Sequence, residues 1–538
     1  MLSLEPTDDL AKPAFKDAAS CTKWLSQLQL TNLSLAQSTL RAQIDEFNRY
    51  PMRGKDRLQT LEALREPVAV IQSDYAKRLA GKKLPLTVEE YTSLVVLTNV
   101  WQSMLNGYLR CLQSGETGDR SLSSDAALLS QRSLYYCGLQ LSQFLRMGYE
   151  PDGRSWQHFH TIYAHIEEQG LHLQAVADKF NHKGGAVSCR TLYVKLLLQH
   201  RARLLGLSRN QWFIVDRWLE NWSETFSLEP RCTMTREDAP PLAVDLAGAH
   251  GFVPVYRATS AASMRYMAMV PLSKLMRVKV ILLQQGQSPK QLELGDELGS
   301  KECLDLLNRL HHCWCGHRNE SLADEPRDAP VVQMVHGIEN IYAHFARKPF
   351  KPPRSDSIAE KEAQRQIETF GRVLDATDRH NLVELGFVGE EWNAEEDTLL
   401  QASLLRRTTA GDRLGLNQIV CMFKPDAAGS KLGVITTVSV TRAGQLYVAL
   451  RYLPGNPQAV IVRATAHENL LSGAAAALLL PEISKLHIPA SLIIPRDWFG
   501  SGRKIDISLP NNRKQGVTLG FSVEKGNDYE RVSFTLET

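Results

Sequence analysis

The sequence lacks a long apolar run, a strong charge of one sign and a paired cysteine framework. No stretch approaches the roughly 18 apolar residues that span a bilayer, and the longest, near residues 474–480, ends at Pro481. The formal net charge is only +3, whereas nucleic-acid-binding domains usually carry a strong basic bias. The nine cysteines are scattered and odd in number, which favours reduced thiols over disulfides. These absences predict a cytoplasmic protein with no membrane span and no nucleic acid polymer as a partner.

Catalytic motifs are also missing. The chain contains no G-x-G-x-x-G, no G-x-x-x-x-G-K-[ST] and no G-x-S-x-G, so the common phosphate loops and the nucleophile elbow are not indicated. Acidic pairs such as Glu390–Glu391 lie in a polar, loop-like context and are expected to be solvated rather than paired for acid–base chemistry. We therefore expect a protein that is not an enzyme, with no catalytic residue and no resident cofactor.

One cluster of histidines and cysteines resembles a metal site at first sight. It consists of His311, His312, Cys313, Cys315 and His317. Structural zinc sites use four such ligands, with cysteine pairs separated by two to four residues and a second pair further on. Here no second pair follows, and on a helix the two thiols would point about 200° apart. The cluster is better explained as the end of an amphipathic helix with a buried Trp314, and no metal ligand is predicted.

The residues from about 20 to 230 have helical periodicity with few glycines and prolines. A capping-box pattern at Thr87 and Glu90 opens one helix. Other helices are expected at 34–50, 61–79, 128–147, 156–168, 187–205 and 211–226. Long helices joined by short loops predict a bundle or an α-solenoid, although no fixed repeat period supports a named repeat family.

A polar, proline-ended stretch at 231–241 indicates a domain boundary. Beyond it, three short strands are expected at 243–246, 252–257 and 264–269. Helices are then expected at 272–284, 300–315 and 331–346. The proline-rich basic segment 348–357 is typical of a linker, and a charged helix is expected at 358–374.

The chain becomes β-rich towards its C-terminus. Four runs of β-branched and aliphatic residues between 413 and 465 are separated by glycine, proline and asparagine breaks, which is typical of strands and turns. Leu446, Val448 and Leu450 alternate with less apolar residues, as in a sheet with one buried face. These runs predict an antiparallel meander that closes into a small barrel. Four further strands after Pro489, with a hairpin turn at 526–528, predict an additional β unit.

A basic segment lies immediately before these strands, at residues 406–413. Its sequence is Arg406-Arg407-Thr408-Thr409-Ala410-Gly411-Asp412-Arg413. Arginine binds phosphate through two parallel hydrogen bonds and stacks on bases. The segment therefore has the chemistry of a phosphate or guanine site, and an ordinary charged loop is the alternative.

The segment 403–465 resembles a PilZ domain, the small bacterial barrel that binds cyclic di-GMP. The resemblance rests on a polar turn ending at Gly411, on Leu432-Gly433-Val434 opening a strand, and on the run Leu446-Tyr447-Val448-Ala449-Leu450. The whole chain is similar to large proteobacterial proteins that are helical at the N-terminus and PilZ-like at the C-terminus. The resemblance implies a cyclic di-GMP ligand.

The PilZ motifs are degenerate in this chain. Binding PilZ domains have R-x-x-x-R before the barrel and then [DN]-x-S-x-x-G. Aligning Gly411 with the motif glycine puts Thr408 at the serine position and Arg406 at the acidic position. No R-x-x-x-R precedes it, and Arg372 and Arg379 have the wrong spacing. The ligand-binding residues that the resemblance implies are Arg406, Arg407, Thr408, Gly411 and Arg413.

These observations predict a multidomain α+β protein with five segments. They are a helical scaffold at 1–235, a mixed segment at 236–347, a linker and charged helix at 348–384, a PilZ-like barrel at 385–466 and a second β unit at 467–538. The expected function is that of a non-enzymatic cyclic di-GMP-responsive regulator or adaptor with a protein partner on its helices. The alternative is a scaffold that binds proteins independently of nucleotide through a degenerate barrel.

Overall fold

The fold was analysed in a computed structural model. It describes all residues except 1–3, 5, 30, 182–183, 233–238, 317–328, 351–388, 425–428, 465–472, 510–512 and 538. Contacts divide the chain into two units. The helical unit comprises Met1–Leu322 with Ser439–Arg442, and the β unit comprises Ala323–Val438 with Ala443–Thr538. The expected multidomain α+β class is confirmed.

The helices of the first unit are amphipathic, and side chains cap several of their N-termini. They are α1 (Ala18–Leu25), α2 (Leu33–Arg49), α3 (Gly54–Lys77), α4 (Val88–Glu116), α5 (Ala126–Arg146), α6 (Gly153–Glu168), α7 (Cys189–Ala202), α8 (Arg209–Asn221), α9 (Val270–Gln284) and α10 (Ser300–Cys315). The capping box at Thr87 and Glu90 is confirmed. Helix α4 packs against α2, α3 and α5, and α7 packs against α5, α8 and α10. One hydrophobic core runs through these helices and buries Trp156, Trp218 and Trp314.

Short strands accompany the helices. Strands β1 (Ala175–Ala177) and β2 (Ala186–Ser188) form an antiparallel hairpin. Strands β3 (Leu242–Asp245), β4 (Val253–Pro254) and β5 (Met264–Met267) form a sheet in the order β4-β3-β5, which confirms the three strands predicted here. The helix predicted from residue 187 begins instead at Cys189, because Ser188 ends β2 and its side chain caps α7 by accepting from the Thr191 amide.

His160 on α6 is fully buried between two polar partners. Its Nε2 lies 2.9 Å from the carbonyl oxygen of His250, and its Nδ1 lies 2.6 Å from the hydroxyl of Tyr193. A carbonyl only accepts, so Nε2 carries the proton and Nδ1 accepts from Tyr193. Burial lowers the pKa of His160 to about 4. The fold therefore requires the neutral imidazole.

Acid is expected to weaken the helical unit through His160. A depressed folded pKa stabilises the fold fully above the unfolded value of about 6.5, and this contribution is lost as the pH falls towards 4. Between pH 7 and 4.5, we expect the free energy of unfolding to fall by roughly 2–3 kcal/mol on this account. Urea unfolding followed by tryptophan fluorescence at both pH values measures it. His160→Gln should show a smaller fall, and an equal fall in the variant would contradict this assignment.

The second unit contains one helix and two β-barrels among its described residues. The helix is α11 (Ile338–Ala346). The strands are β6 (Val331–His336), β7 (Glu390–Asp397), β8 (Gln401–Arg406), β9 (Ile419–Phe423), β10 (Ser430–Val440), β11 (Leu446–Tyr452), β12 (Gln458–Ala464), β13 (Ala474–Leu480), β14 (Ser491–Ile494), β15 (Lys504–Ser508), β16 (Lys514–Lys525) and β17 (Glu530–Leu536). The first barrel closes in the order β10-β11-β8-β7-β6-β9, and the second in the order β12-β13-β14-β17-β16-β15.

The structure corrects two expectations about the first barrel. The helix predicted at 331–346 was wrong over its first half, where β6 pairs with β7 and β9. Its valine-rich sequence suits a strand, and Gly337, at a φ of 82°, separates it from α11. The boundary expected at residue 466 would leave β12 in the first barrel. Strand β12 instead pairs with β13 and β15 of the second.

The two barrels share a hydrophobic core. It includes Ile419, Cys421 and Leu432 from the first barrel and Leu478 and Tyr529 from the second. The predicted turn at 526–528 is confirmed between β16 and β17. The Asn527 amide donates to the Asn417 carbonyl oxygen at 2.8 Å, and Asp528 Oδ1 accepts from the Ile419 amide at 3.0 Å. The additional β unit is therefore packed directly onto the PilZ-like barrel.

Most of the predicted linker and the whole charged helix at 358–374 lie outside the described residues, as do Arg372 and Arg379. Across the described ranges, no helix is both long enough and apolar enough to cross a bilayer.

Candidate functional site

The predicted site residues lie at the end of β8 and in the loop that follows it. Strand β8 pairs with β7, and Arg406 is directly opposite Trp392. Because successive side chains of a strand point to opposite faces, Arg406 and Arg407 project in opposite directions. The same alternation separates Glu390 from Glu391 on β7. The geometry therefore gives two arginine–glutamate pairs, one on each face of the sheet.

On the inner face the arginine is buried and its glutamate is partly exposed. Arg406 is only 1% exposed. Its Nη2 lies 2.9 Å from Glu390 Oε2 and donates to the Asp412 carbonyl oxygen at 2.6 Å. Its guanidinium carbon lies 4.9 Å from the centre of the Trp392 ring. Burial lowers the pKa of Arg406, and the neighbouring Glu390 carboxylate opposes that shift. Arg406, at the end of β8, thus connects the start of the loop to its end at Asp412.

The pair on the outer face is solvent-exposed. Arg407 Nη1 donates to Glu391 Oε2 at 2.8 Å, and about half of each side chain is exposed. The loop-like context expected for Glu390 and Glu391 was wrong, because both lie on β7 and each pairs with an arginine, although Glu391 is solvent-exposed as expected. Arg407 remains accessible to a ligand in a way that Arg406 is not.

The exposed loop at 407–412 is fixed by hydrogen bonds within the loop and to Glu390. The Thr408 hydroxyl donates to the Ala410 carbonyl oxygen at 2.7 Å, and the Asp412 amide donates to Glu390 Oε1 at 2.8 Å. Gly411 has a φ of +147°, and a Cβ on it would lie 2.7 Å from Glu390 Oε1 and 2.9 Å from Arg406 Cζ. Only glycine lets the backbone pass this close to the ion pair.

Two further side chains belong to the site but gave no signal in the sequence. His336 on β6 lies 2.9 Å from Asp412 Oδ2 through its Nε2. Gln445, just before β11, donates to the Arg406 carbonyl oxygen at 3.1 Å. Arg413 is partly buried and precedes the buried Leu414. A register that sets Arg406 opposite Trp392 places Glu391 beside Arg407 and Glu390 diagonally across from Arg406, so that knowledge of the register would have identified both glutamates.

This arrangement has the chemistry of an anion-binding surface. Arg407 presents a guanidinium, which can grip phosphate with two hydrogen bonds, and the next residue, Thr408, carries an exposed hydroxyl. Arg406 cannot join them on the same phosphate, because its guanidinium is enclosed on the other face. The predicted residues therefore lie at the end of β8 and in the loop that follows, but only Arg407, Thr408 and Gly411 are exposed.

The histidine–cysteine cluster lies in α10. Cys313 Sγ lies 3.0 Å from the Arg201 carbonyl oxygen, and burial raises the pKa of Cys315 to about 12. Trp314 is buried and donates to the Leu198 carbonyl oxygen at 2.9 Å, as expected for a helix end in a core. His317 lies outside the described residues. In the part of the chain that the structure describes, no group of three His, Cys, Asp or Glu side chains has the geometry to hold a metal.

Two models of one protein family match the chain. One is described as the N-terminal domain of the cyclic-di-GMP receptor FimW and matches residues 19–231, and the other as the FimW C-terminal beta-barrel domain and matches residues 460–537. The chain is also similar to the cyclic-di-GMP receptor FimW of Pseudomonas aeruginosa PAO1, with 23% identity over 586 residues, covering 96% of this chain and 92% of that protein. No solved structure matches. The matched segments lie in the helical unit and the second barrel, so the 407–412 loop is outside both.

Proposed function

We propose, on the premise that this chain belongs to the FimW family, that it is a non-enzymatic cyclic di-GMP-responsive regulator or adaptor. The observation that carries the proposal is the similarity to a cyclic-di-GMP receptor over almost the whole length of both chains. The alternative of a nucleotide-independent scaffold is not favoured by that similarity. We further propose that the protein acts in the cytoplasm and engages a protein partner through its helical unit.

The 407–412 loop is the proposed contact surface for the nucleotide. In this proposal, Arg407 binds a phosphate or a guanine edge, Thr408 contributes a hydroxyl hydrogen bond and Arg413 adds positive charge. Gly411 shapes the turn, and Arg406 positions the loop through Glu390 and the Asp412 carbonyl. What supports this assignment is an exposed guanidinium next to a hydroxyl, on a loop whose backbone is already fixed. Such preorganisation reduces the entropy cost of binding.

Removing the exposed arginine is expected to weaken nucleotide binding. A hydrogen bond to a charged group contributes roughly 1.5–3 kcal/mol, so Arg407→Ala should weaken cyclic di-GMP binding by about 10- to 100-fold. Isothermal titration calorimetry of the full chain with cyclic di-GMP measures the change. Thr408→Val should give a smaller loss in the same direction, because it removes one neutral hydroxyl.

Arg451→Ala is the matched control for this experiment. Arg451 lies in the same unit, is about half exposed and pairs with Glu524 at 2.6 Å, so its removal costs the same charge and a similar exposed ion pair. Its affinity should equal that of the wild type. If Arg407→Ala and Arg451→Ala weakened cyclic di-GMP binding equally, the 407–412 loop would not be part of the binding site. Absence of heat with the unmodified chain would contradict the proposed function itself, and recovery of one partner with and without nucleotide would favour the scaffold.

A further inference from the structure

The exposed guanidinium of Arg407 already has an anionic partner within its own barrel. Glu391 Oε2 accepts from Arg407 Nη1 at 2.8 Å, and the backbone amide of Arg407 lies 3.3 Å from the Glu391 carbonyl oxygen. The two residues are therefore held side by side by the β7–β8 ladder and not by chance proximity of long side chains. The carboxylate thus engages Nη1, one of the guanidinium nitrogens through which a phosphate would be bound.

The carboxylates near the 407–412 loop differ in what they pair with. The carboxylates of Glu390 and Glu391 pair with Arg406 and Arg407, and the carboxylate of Asp412 lies at the end of the same loop. Glu390 is committed to structure, since its Oε1 accepts from the Asp412 amide and its Oε2 faces Arg406. Asp412 faces His336. Glu391 differs from these two because its side chain pairs with the accessible arginine and is itself 55% exposed.

We propose that Glu391 is an affinity-setting residue that competes with the phosphate of the incoming nucleotide for Arg407. This inference rests on the proposed function and deepens it. An anion that binds Arg407 through Nη1 must displace the Glu391 carboxylate, which then remains close by and repels it. Because an exposed ion pair is weak, the carboxylate yields to a phosphate rather than excluding it. Glu391 would thus raise the nucleotide concentration at which the loop becomes occupied, without closing the site.

The inference predicts tighter binding when the carboxylate is neutralised. Glu391→Gln keeps the shape of the side chain but removes its charge, which should strengthen cyclic di-GMP binding by roughly three- to tenfold. The measurement is calorimetric titration of the full chain with cyclic di-GMP at two salt concentrations. The gain should shrink at higher salt, because screening weakens the interaction of exposed charges.

Glu537→Gln serves as the control of equal charge. Glu537 belongs to the second barrel and pairs with Lys504 at 3.0 Å, so this variant also loses one negative charge and one exposed ion pair. Tighter binding in Glu391→Gln together with unchanged binding in Glu537→Gln supports the inference. Equal gains in both variants would assign the effect to net charge and overturn it.

Failure of the inference is separable from failure of the proposed function. If the unmodified chain binds cyclic di-GMP and Glu391→Gln binds it equally or more weakly, Glu391 does not compete and the receptor function still stands. If neither protein binds, the proposed function fails and this inference fails with it.

Discussion

Arg406→Ala is expected to lower the stability of the β unit by about 3 kcal/mol. Removing one partner of a buried ion pair costs about 3–5 kcal/mol, because the other charge is left uncompensated. The lower figure applies here since the Glu390 side chain is 23% exposed and water reaches it in part. The variant also loses the hydrogen bond to the Asp412 carbonyl oxygen and the packing of the guanidinium on Trp392.

Hydrogen–deuterium exchange of the full chain at increasing urea concentration measures this effect. Peptides from β7 and β8 should lose protection at a lower urea concentration in Arg406→Ala, whereas peptides from the helical unit should be unchanged. Arg407→Ala is the matched control, because the neighbouring arginine has an exposed glutamate partner and its removal should scarcely alter protection. Equal protection in both variants would mean that Arg406 does not hold the loop.

The helical unit also contains a buried ion-pair cluster, centred on Asp178. Its side chain is fully buried, and its Oδ2 accepts from Arg65 Nη2 at 2.7 Å and from Arg132 Nη1 at 2.8 Å. Both arginines are also almost fully buried. Glu62, about one-third exposed, lies 3.0 Å from Arg132 Nε. Burial raises the pKa of Asp178, but the hydrogen bond from Arg65 and the charges of both arginines outweigh it, so the net direction is downwards.

Asp178→Ala is therefore expected to destabilise the helical unit by about 3–5 kcal/mol, the cost of leaving a buried charge without its partner. Two guanidinium groups would then share the single carboxylate of Glu62. Urea unfolding followed by tryptophan fluorescence suits this test, because seven of the nine tryptophans precede residue 323.

Glu66→Gln provides the comparison for Asp178→Ala. Glu66 pairs with Lys179, the residue next to Asp178, at 2.5 Å, but both of these side chains are more than half exposed. The variant should unfold at nearly the wild-type urea concentration, because water screens exposed pairs. If Asp178→Ala behaved like Glu66→Gln, the arginine cluster would not be a structural requirement of this unit.

The helical periodicity and the strand alternation predicted most of the local structure. The cap at Thr87, the helix at 300–315 and the four strands after Pro489 were found as expected, because each depends on residues close together in the chain. The prediction failed at β6, where a six-residue apolar run next to a helix has no periodicity long enough to separate helix from strand. Only pairing with β7 and β9 decides it.

The placement of the site residues depended on the pairing register of two neighbouring strands. The sequence identified Arg406, Arg407, Thr408, Gly411 and Arg413 as one segment, and the structure does bring them together in one loop. It could not show that Arg406 is enclosed by Trp392 and Glu390 while Arg407 is exposed. That difference follows from the register of β7 and β8. The two strands are joined by a short connection, but their register is set by which face of the sheet is buried.

By itself, the sequence predicted a helical N-terminal region, a PilZ-like barrel with degenerate motifs and an additional β unit. The comparisons confirm the resemblance to cyclic di-GMP-binding proteins. Composition and periodicity suffice for the helical and β-rich regions, because burial of apolar faces dictates element type locally, whereas the PilZ-like character was implied by the resemblance of residues 403–465. The tertiary structure alone decided that the strands divide into two barrels of six, and which carboxylate pairs with each arginine. Those outcomes depend on contacts between distant residues, which no local pattern encodes.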